Sequence, residues 1–136
     1  MKIRYNRKTD YLEVFFRVEN SYYESSSLSN DVLTVFCGEE SKDVIGYGID
    51  DAFVNLSKSN KFTHKQKLAL YSWIIRKKKK LTQEEFAEHL SSKYNDNEGM
   101  SIRTIQRIED CETNAPYYYP IELKKIDPDF DLNYIA

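Results

Sequence analysis

The spacing of apolar residues changes once along this chain, and that change decides what it can fold into. Within residues 11–18, Leu12, Val14 and Phe16 alternate with Glu13, Phe15 and Arg17, the period of a strand whose successive side chains point to opposite faces. Residues 32–37 and 44–49 read as two further strands joined by a hairpin-like loop over 38–43, and 22–27 reads as an edge strand. Past residue 62 the period becomes helical. Leu68, Tyr71, Ile74 and Ile75 form one apolar stripe with Trp73 nearby, and Phe86, Ala87 and Leu90 form another. The expected fold class is α+β: a small N-terminal antiparallel β-meander, then an all-α domain. The polar, basic stretch 56–62 marks the boundary, giving domains at residues 1–57 and 58–136.

Each predicted helix carries a start signal. Thr63 with Gln66, and Thr82 with Glu85, have capping-box spacing, and Ser101 is a good N-cap. The first helix should run to about Lys79. On the helix after Ser101, at about 100° per residue, Ile102, Ile105 and Ile108 share one side. Arg103 and Arg107, four apart and so neighbours, fall opposite them with Thr104 and Gln106 alongside. That arrangement gives one face to a core and one to a partner.

A net charge of −2 on 136 residues gives no sign of an anionic partner, but its distribution does. Residues 1–57 hold 6 basic and 10 acidic side chains (−4), residues 58–107 hold 12 and 5 (+7), and residues 108–136 hold 2 and 7 (−5). The cations gather around the run Arg76, Lys77, Lys78, Lys79, Lys80 and the two arginines, the electrostatic footprint of a nucleic-acid face.

Two quoted stretches carry a resemblance. Leu81-Thr82-Gln83-Glu84-Glu85-Phe86-Ala87 and Ser101-Ile102-Arg103-Thr104-Ile105-Gln106-Arg107-Ile108-Glu109 resemble the two halves of the Cro-like, phage-repressor (XRE-type) helix-turn-helix class. The resemblance implies a DNA-binding domain in which Gln83 touches the DNA backbone or an adjacent base. It also implies that Ile102, Arg103 and Arg107 read base edges, with Ser101, Thr104 and Gln106 close by. Lys78, Lys79 and Lys80 are the expected phosphate contacts. Ile102 could meet a thymine methyl, although the core is the stronger expectation for it. Glu109, a carboxylate that phosphates would repel, is expected to fix the helix. Residues 91–100 are a longer polar connection than the family's turn, and Cys111 stands where the family usually has glycine.

The N-terminal half is similar to small bacterial domains of unknown function that open Tyr-Asp-x-x-x-Asp-x-Leu-x-Ile and close Gly-x-x-Ile-x-Asp-Ala. The residues that carry this are Tyr5, Asn6, Asp10, Leu12, Val14, Asp31, Val32, Gly46, Ile49, Asp51 and Ala52, with Asn6 in place of Asp. The similarity implies a fold and no activity. Asp10, Asp31, Asp50 and Asp51 invite a metal or acid/base reading, but Asp and Asn favour turns for their local backbone bonds, so no catalytic residue is expected. Cys37 and Cys111 lack any CxxC spacing, and His64 and His89 lack ligand partners in the sequence, so neither a metal nor a cofactor is expected.

The expected function is a sequence-specific DNA-binding transcriptional regulator, an autorepressor of antitoxin type, reading the major groove of double-stranded DNA as a homodimer. A sheet fused to a Cro-like domain resembles bacterial antitoxins, which bind a toxin with one domain and their own promoter with the other. A toxin-like protein partner is therefore part of this expectation. The sheet's edge, or the tyrosine-rich segment at Tyr117, Tyr118 and Tyr119, would supply the dimer or partner contact. A short helix is expected over 121–126, followed by an acidic tail over 127–132. The alternative is a protein-interaction module, toxin-neutralising or scaffold, whose helix-turn-helix no longer binds DNA. With no long apolar run and no secretory leader in view, no membrane partner and a cytoplasmic location are expected.

Overall fold

The structure, a computed structural model, describes residues 1–26, 28, 32–94 and 100–135, with residues 91–94 described by their helical backbone alone. It comprises two compact units, Met1–Asn60 and Lys61–Ala136. Among the described residues no helix is long and apolar enough to cross a membrane.

The first unit is a five-stranded antiparallel sheet of β1 (Lys2–Asn6), β2 (Tyr11–Phe15), β3 (Tyr22–Glu24), β4 (Leu33–Gly38) and β5 (Val44–Ile49). Its order, β1-β2-β5-β4-β3, departs from a simple meander because β5 enters between β2 and β4. The register explains why the middle strands are apolar. Leu12, Ile49 and Leu33 lie side by side across β2, β5 and β4, and Val14, Tyr47 and Val35 form the next row. Leu12, Val14, Leu33, Val35 and Ile49 are buried. β1 was not foreseen as a strand; it pairs residue for residue with β2.

The alternation predicted for residues 11–18 stops at Phe15. Phe15 is buried and Phe16, expected beside Leu12 and Val14, is exposed. A register shift between Phe36 and Cys37 leaves Ile45 as an extra residue in β5. Such a bulge re-aims a side chain, and Ile45 joins Phe15 and Phe36 in one buried cluster. The facing position on β5 is Gly46, where a Cβ would lie 2.5 Å from the Val14 carbonyl oxygen and 2.8 Å from the Phe15 ring. Only glycine leaves room there for the strand and the ring.

The aspartate-rich motif closes the sheet. Asp10 accepts from the Tyr5 hydroxyl at 2.5 Å, its carboxylate accepts from the Phe53 amide at 3.2 Å, and its carbonyl accepts from the Ala52 amide at 2.9 Å. It thereby ties the β1–β2 turn to the start of a short helix, α1 (Ala52–Asn55), which the sequence reading missed. Asn6 accepts from the Lys8 amide within the same turn. Asp31 lies outside the described residues. Within the boundary stretch, Leu56 sits in a 3₁₀ turn, Leu56–Lys58, and Leu56, Ser59 and Phe62 are buried.

The second unit packs α2 (His64–Lys78), α3 (Gln83–Tyr94), α4 (Ile102–Glu109) and α5 (Tyr119–Ile126), followed by a 3₁₀ turn, Leu132–Ile135. Both capping boxes form. Thr63 accepts from the Gln66 amide while Gln66 accepts from the Thr63 amide, and Thr82 and Glu85 exchange the same pair of bonds. The stripes of α2 and α3 are buried as read: Leu68, Tyr71, Ile74, Ile75, Phe86, Ala87 and Leu90. The expected acidic tail is part of this core. Phe130 is fully buried with its ring 5.1 Å from Tyr71, and Asp127 is buried too.

α2 and α4 end alike. The Leu81 amide reaches the Arg76 carbonyl and the Lys80 amide the Lys77 carbonyl; the Glu112 amide reaches Arg107 and the Cys111 amide Ile108. These are the paired bonds of a Schellman exit, whose central residue must adopt the left-handed conformation that glycine takes most readily. Here Lys80 (φ 57°) and Cys111 (φ 64°) occupy it.

Candidate nucleic-acid interface

α4 begins at Ser101, whose hydroxyl accepts from the Thr104 amide at 3.1 Å and contacts the Thr104 hydroxyl at 3.0 Å. These two side chains are engaged in starting the helix. Ile105, Ile108 and Glu109 form its buried face. Arg103, Gln106 and Arg107 are exposed, and Thr104 is half-buried. Ile102 departs from the stronger expectation for it: 39% exposed, it stands outside the core beside Arg103, whereas Ile105 is fully buried.

Glu109 holds α4 in place. Its carboxylate accepts from Arg76 Nε at 2.7 Å and Arg76 Nη2 at 2.5 Å, a two-point guanidinium pairing. It also accepts from the Ser72 hydroxyl at 2.6 Å and from Gln83 Nε2 at 3.1 Å. The Ser72 hydroxyl lies 2.6 Å from that of Tyr119, so residues of α2 and α3 bind the α4 carboxylate directly and α5 joins the network through Ser72. The Tyr119 hydroxyl is pushed far above its ordinary pKa, first by burial and then by the Glu109 charge, with the Ser72 hydrogen bond opposing. Arg76 Nη1 additionally donates to the Leu81 carbonyl at 3.0 Å.

These contacts reassign part of the predicted site. Arg76, counted with the basic run, is buried and paired inside the fold. Lys78 sits 2.9 Å from the buried Asp127 carboxylate, so its ammonium is engaged within the unit. Lys77, Lys79 and Lys80 are exposed. Gln83, the expected backbone contact, is half-buried with its amide turned to Glu109. A groove of about 400 Å³ between the end of α2 and the start of α3 is lined by Trp73, Lys77, Lys80, Thr82 and Gln83. The Arg76 guanidinium and the Lys77 ammonium each lie 5.3 Å from the Trp73 ring, and the buried Trp73 Nε1 has no hydrogen-bond partner. The exposed ammonium groups of Lys77 and Lys80 give this groove its positive charge and its hydrogen-bond donors.

Sequence reasoning assigned Glu109 its structural task but missed its partners. The available signal was position: Leu68, Ser72 and Arg76 repeat every four residues along the buried side of α2, and an arginine there needs an internal carboxylate. In the sheet, Asp10 is occupied by Tyr5 and Phe53, and among the described residues no group of three or more His, Cys, Asp or Glu side chains is placed to hold a metal. Compared with known proteins, the chain has no matching family model, no matching curated protein and no matching solved structure.

Proposed function

We propose that this chain is a sequence-specific DNA-binding regulator that inserts α4 into the major groove, its α3–α4 pair acting as a Cro-like helix-turn-helix. The observation that carries this reading is the two-sidedness of α4. Its buried side is locked to α2 through Glu109 and Arg76, and its outer side offers Arg103, Gln106 and Arg107 with Ile102 at the leading turn. Arginine suits guanine O6 and N7, Gln suits adenine, and an exposed apolar side chain suits a thymine methyl. The donor groove at Lys77, Lys80 and Thr82 would take a backbone phosphate, positioning the helix without reading sequence. Lys79 and Lys80 keep their phosphate role; Lys78, held by Asp127, drops out of it. A homodimer would set two α4 helices about 34 Å apart on two half-sites. Autorepression of antitoxin type, with a toxin-like partner on the N-terminal unit, is the specific form we favour.

A second reading, a protein-interaction module, draws on the N-terminal unit, where Phe16, Val18, Tyr22, Tyr23 and Val44 are exposed.

The test is fluorescence anisotropy with duplex from the chain's own upstream region and with scrambled duplex, at two salt concentrations. A regulator prefers its own region by several kcal/mol, on the order of the gap between specific and non-specific binding. Arg103→Ala or Arg107→Ala should cost about 1–3 kcal/mol and relax the preference. Lys79→Ala with Lys80→Ala should weaken both duplexes alike and flatten the salt dependence. Equal weak binding to both duplexes, or none, overturns the DNA reading and favours the interaction module.

A further inference from the structure

We infer that the open face of the N-terminal sheet carries a binding cleft for a compact organic carboxylate with an aromatic or branched apolar body. The cleft, about 160 Å³, is lined by the buried Phe15 and Ile45, by Tyr22 and Val18, by Lys2 and Arg4, and by Arg17 with its paired carboxylate Glu19. This inference is independent of the DNA reading.

The floor is built from packed rings. The Phe15 and Phe36 rings stack at 5.3 Å, and Tyr22 meets them edge-on at 5.2 and 5.4 Å. The bulge in β5 turns Ile45 into this same cluster. Of the three cations, Arg17 is already held by Glu19, Ser41 and Asp43. The side chains of Lys2 and Arg4 make no hydrogen bond, ion pair or ring contact among the described residues. Arg4 lies opposite Glu13 in register without pairing to it. Val18 is 72% exposed at the rim, an apolar side chain with no covering in the unit. Two uncommitted cations over an aromatic floor call for one negative charge joined to an apolar body.

The rest of that face narrows the ligand. Beyond the cleft stand Glu13, Glu24 and Asp50, whose charges act on Tyr11. A nucleic-acid strand needs positive charge along its length, and this acidic half opposes one. A small mono-anion meets Lys2 and Arg4, and the one carboxylate lining the cleft, Glu19, is already held by Arg17 and Ser41.

The experiment is methyl NMR of the full chain, following Val18 and Ile45 during titration with phenylacetate, phenylacetamide and acetate. Saturable shifts with phenylacetate, at least tenfold tighter than with the neutral amide or with acetate, are expected. The double variant Lys2→Gln/Arg4→Gln, altered only at exposed positions, should lose at least tenfold in affinity with its spectrum otherwise unchanged. Absence of saturable shifts, equal binding of phenylacetamide, or an unaffected double variant overturns the inference. Tighter occupation of the same methyls by an oligonucleotide or an acidic peptide overturns it too, and makes the cleft a macromolecular contact.

Discussion

Arg76 and Glu109, thirty-three positions apart, meet in a buried two-point pair in which the carboxylate is fully enclosed and the guanidinium nearly so. Removing one partner strands a buried charge, which costs about 3–5 kcal/mol. Glu109→Ala should therefore lower the unfolding free energy by about that amount in urea denaturation. A loss below about 1 kcal/mol would show that apolar packing alone holds α4, since exposed pairs are worth no more than that.

Cys111 completes the exit of α4 in a left-handed conformation that costs a side-chain-bearing residue about 1–2 kcal/mol. Cys111→Gly relieves that strain while loosening the unfolded chain. The expected net result is a gain of about 1 kcal/mol or slightly less, seen as a higher denaturation midpoint. A destabilised variant would mean that the half-buried thiol contributes more by packing than the backbone loses by strain.

Gly46→Ala and Gly48→Ala should differ although both glycines lie on β5. At Gly46 the new methyl meets the Val14 backbone oxygen at 2.5 Å, which cannot yield without moving β2. At Gly48 its nearest atom is the Tyr11 hydroxyl, the tip of a side chain, with the Phe36 ring next at 3.1 Å. Overpacking against fixed backbone costs about 1–3 kcal/mol, so Gly46→Ala should be the more damaging in thermal unfolding of the pair.

Tyr11 gives the first unit an alkaline limit. Burial, then the charges of Glu13, Asp50 and Glu24, push its pKa up to about 12, against about 10 in the unfolded chain. Between those values the folded state keeps a proton that the unfolded state has lost, so stability falls as pH rises. Below about pH 10 both states are protonated and the contribution is constant. Tyr11→Phe should flatten this decline in denaturation curves taken across that window; an unchanged slope would rule Tyr11 out as its source.

What could be read from the sequence was whatever a local rule dictates. Capping boxes at Thr63 and Thr82, the N-cap at Ser101 and the stripes of α2 and α3 depend on residues within a few positions of one another, and all stand as read. Non-local pairings could not be read that way. The insertion of β5 between β2 and β4, the bulge that re-aims Ile45, and the partnership of Lys78 with Asp127 are chosen by residues far apart in the chain. Ile102 illustrates the same limit. Periodicity puts it on the side of Ile105 and Ile108, but a period says nothing of whether a tertiary neighbour covers that position, and Ile102 is left exposed while the other two are buried.

The Glu109 contacts change what the connection between α3 and α4 has to do. α4 takes its orientation from Arg76 and Ser72 on α2, and α3, expected to end by residue 90, runs on to Tyr94, so the length of the chain between Tyr94 and Ser101 is not what aims α4. In general each doubling of loop length costs only about 0.6 kcal/mol in closure entropy. Insertions at that point should therefore leave the direction of Arg103 and Arg107 unchanged, and a connection longer than a tight turn is compatible with the same outward helix.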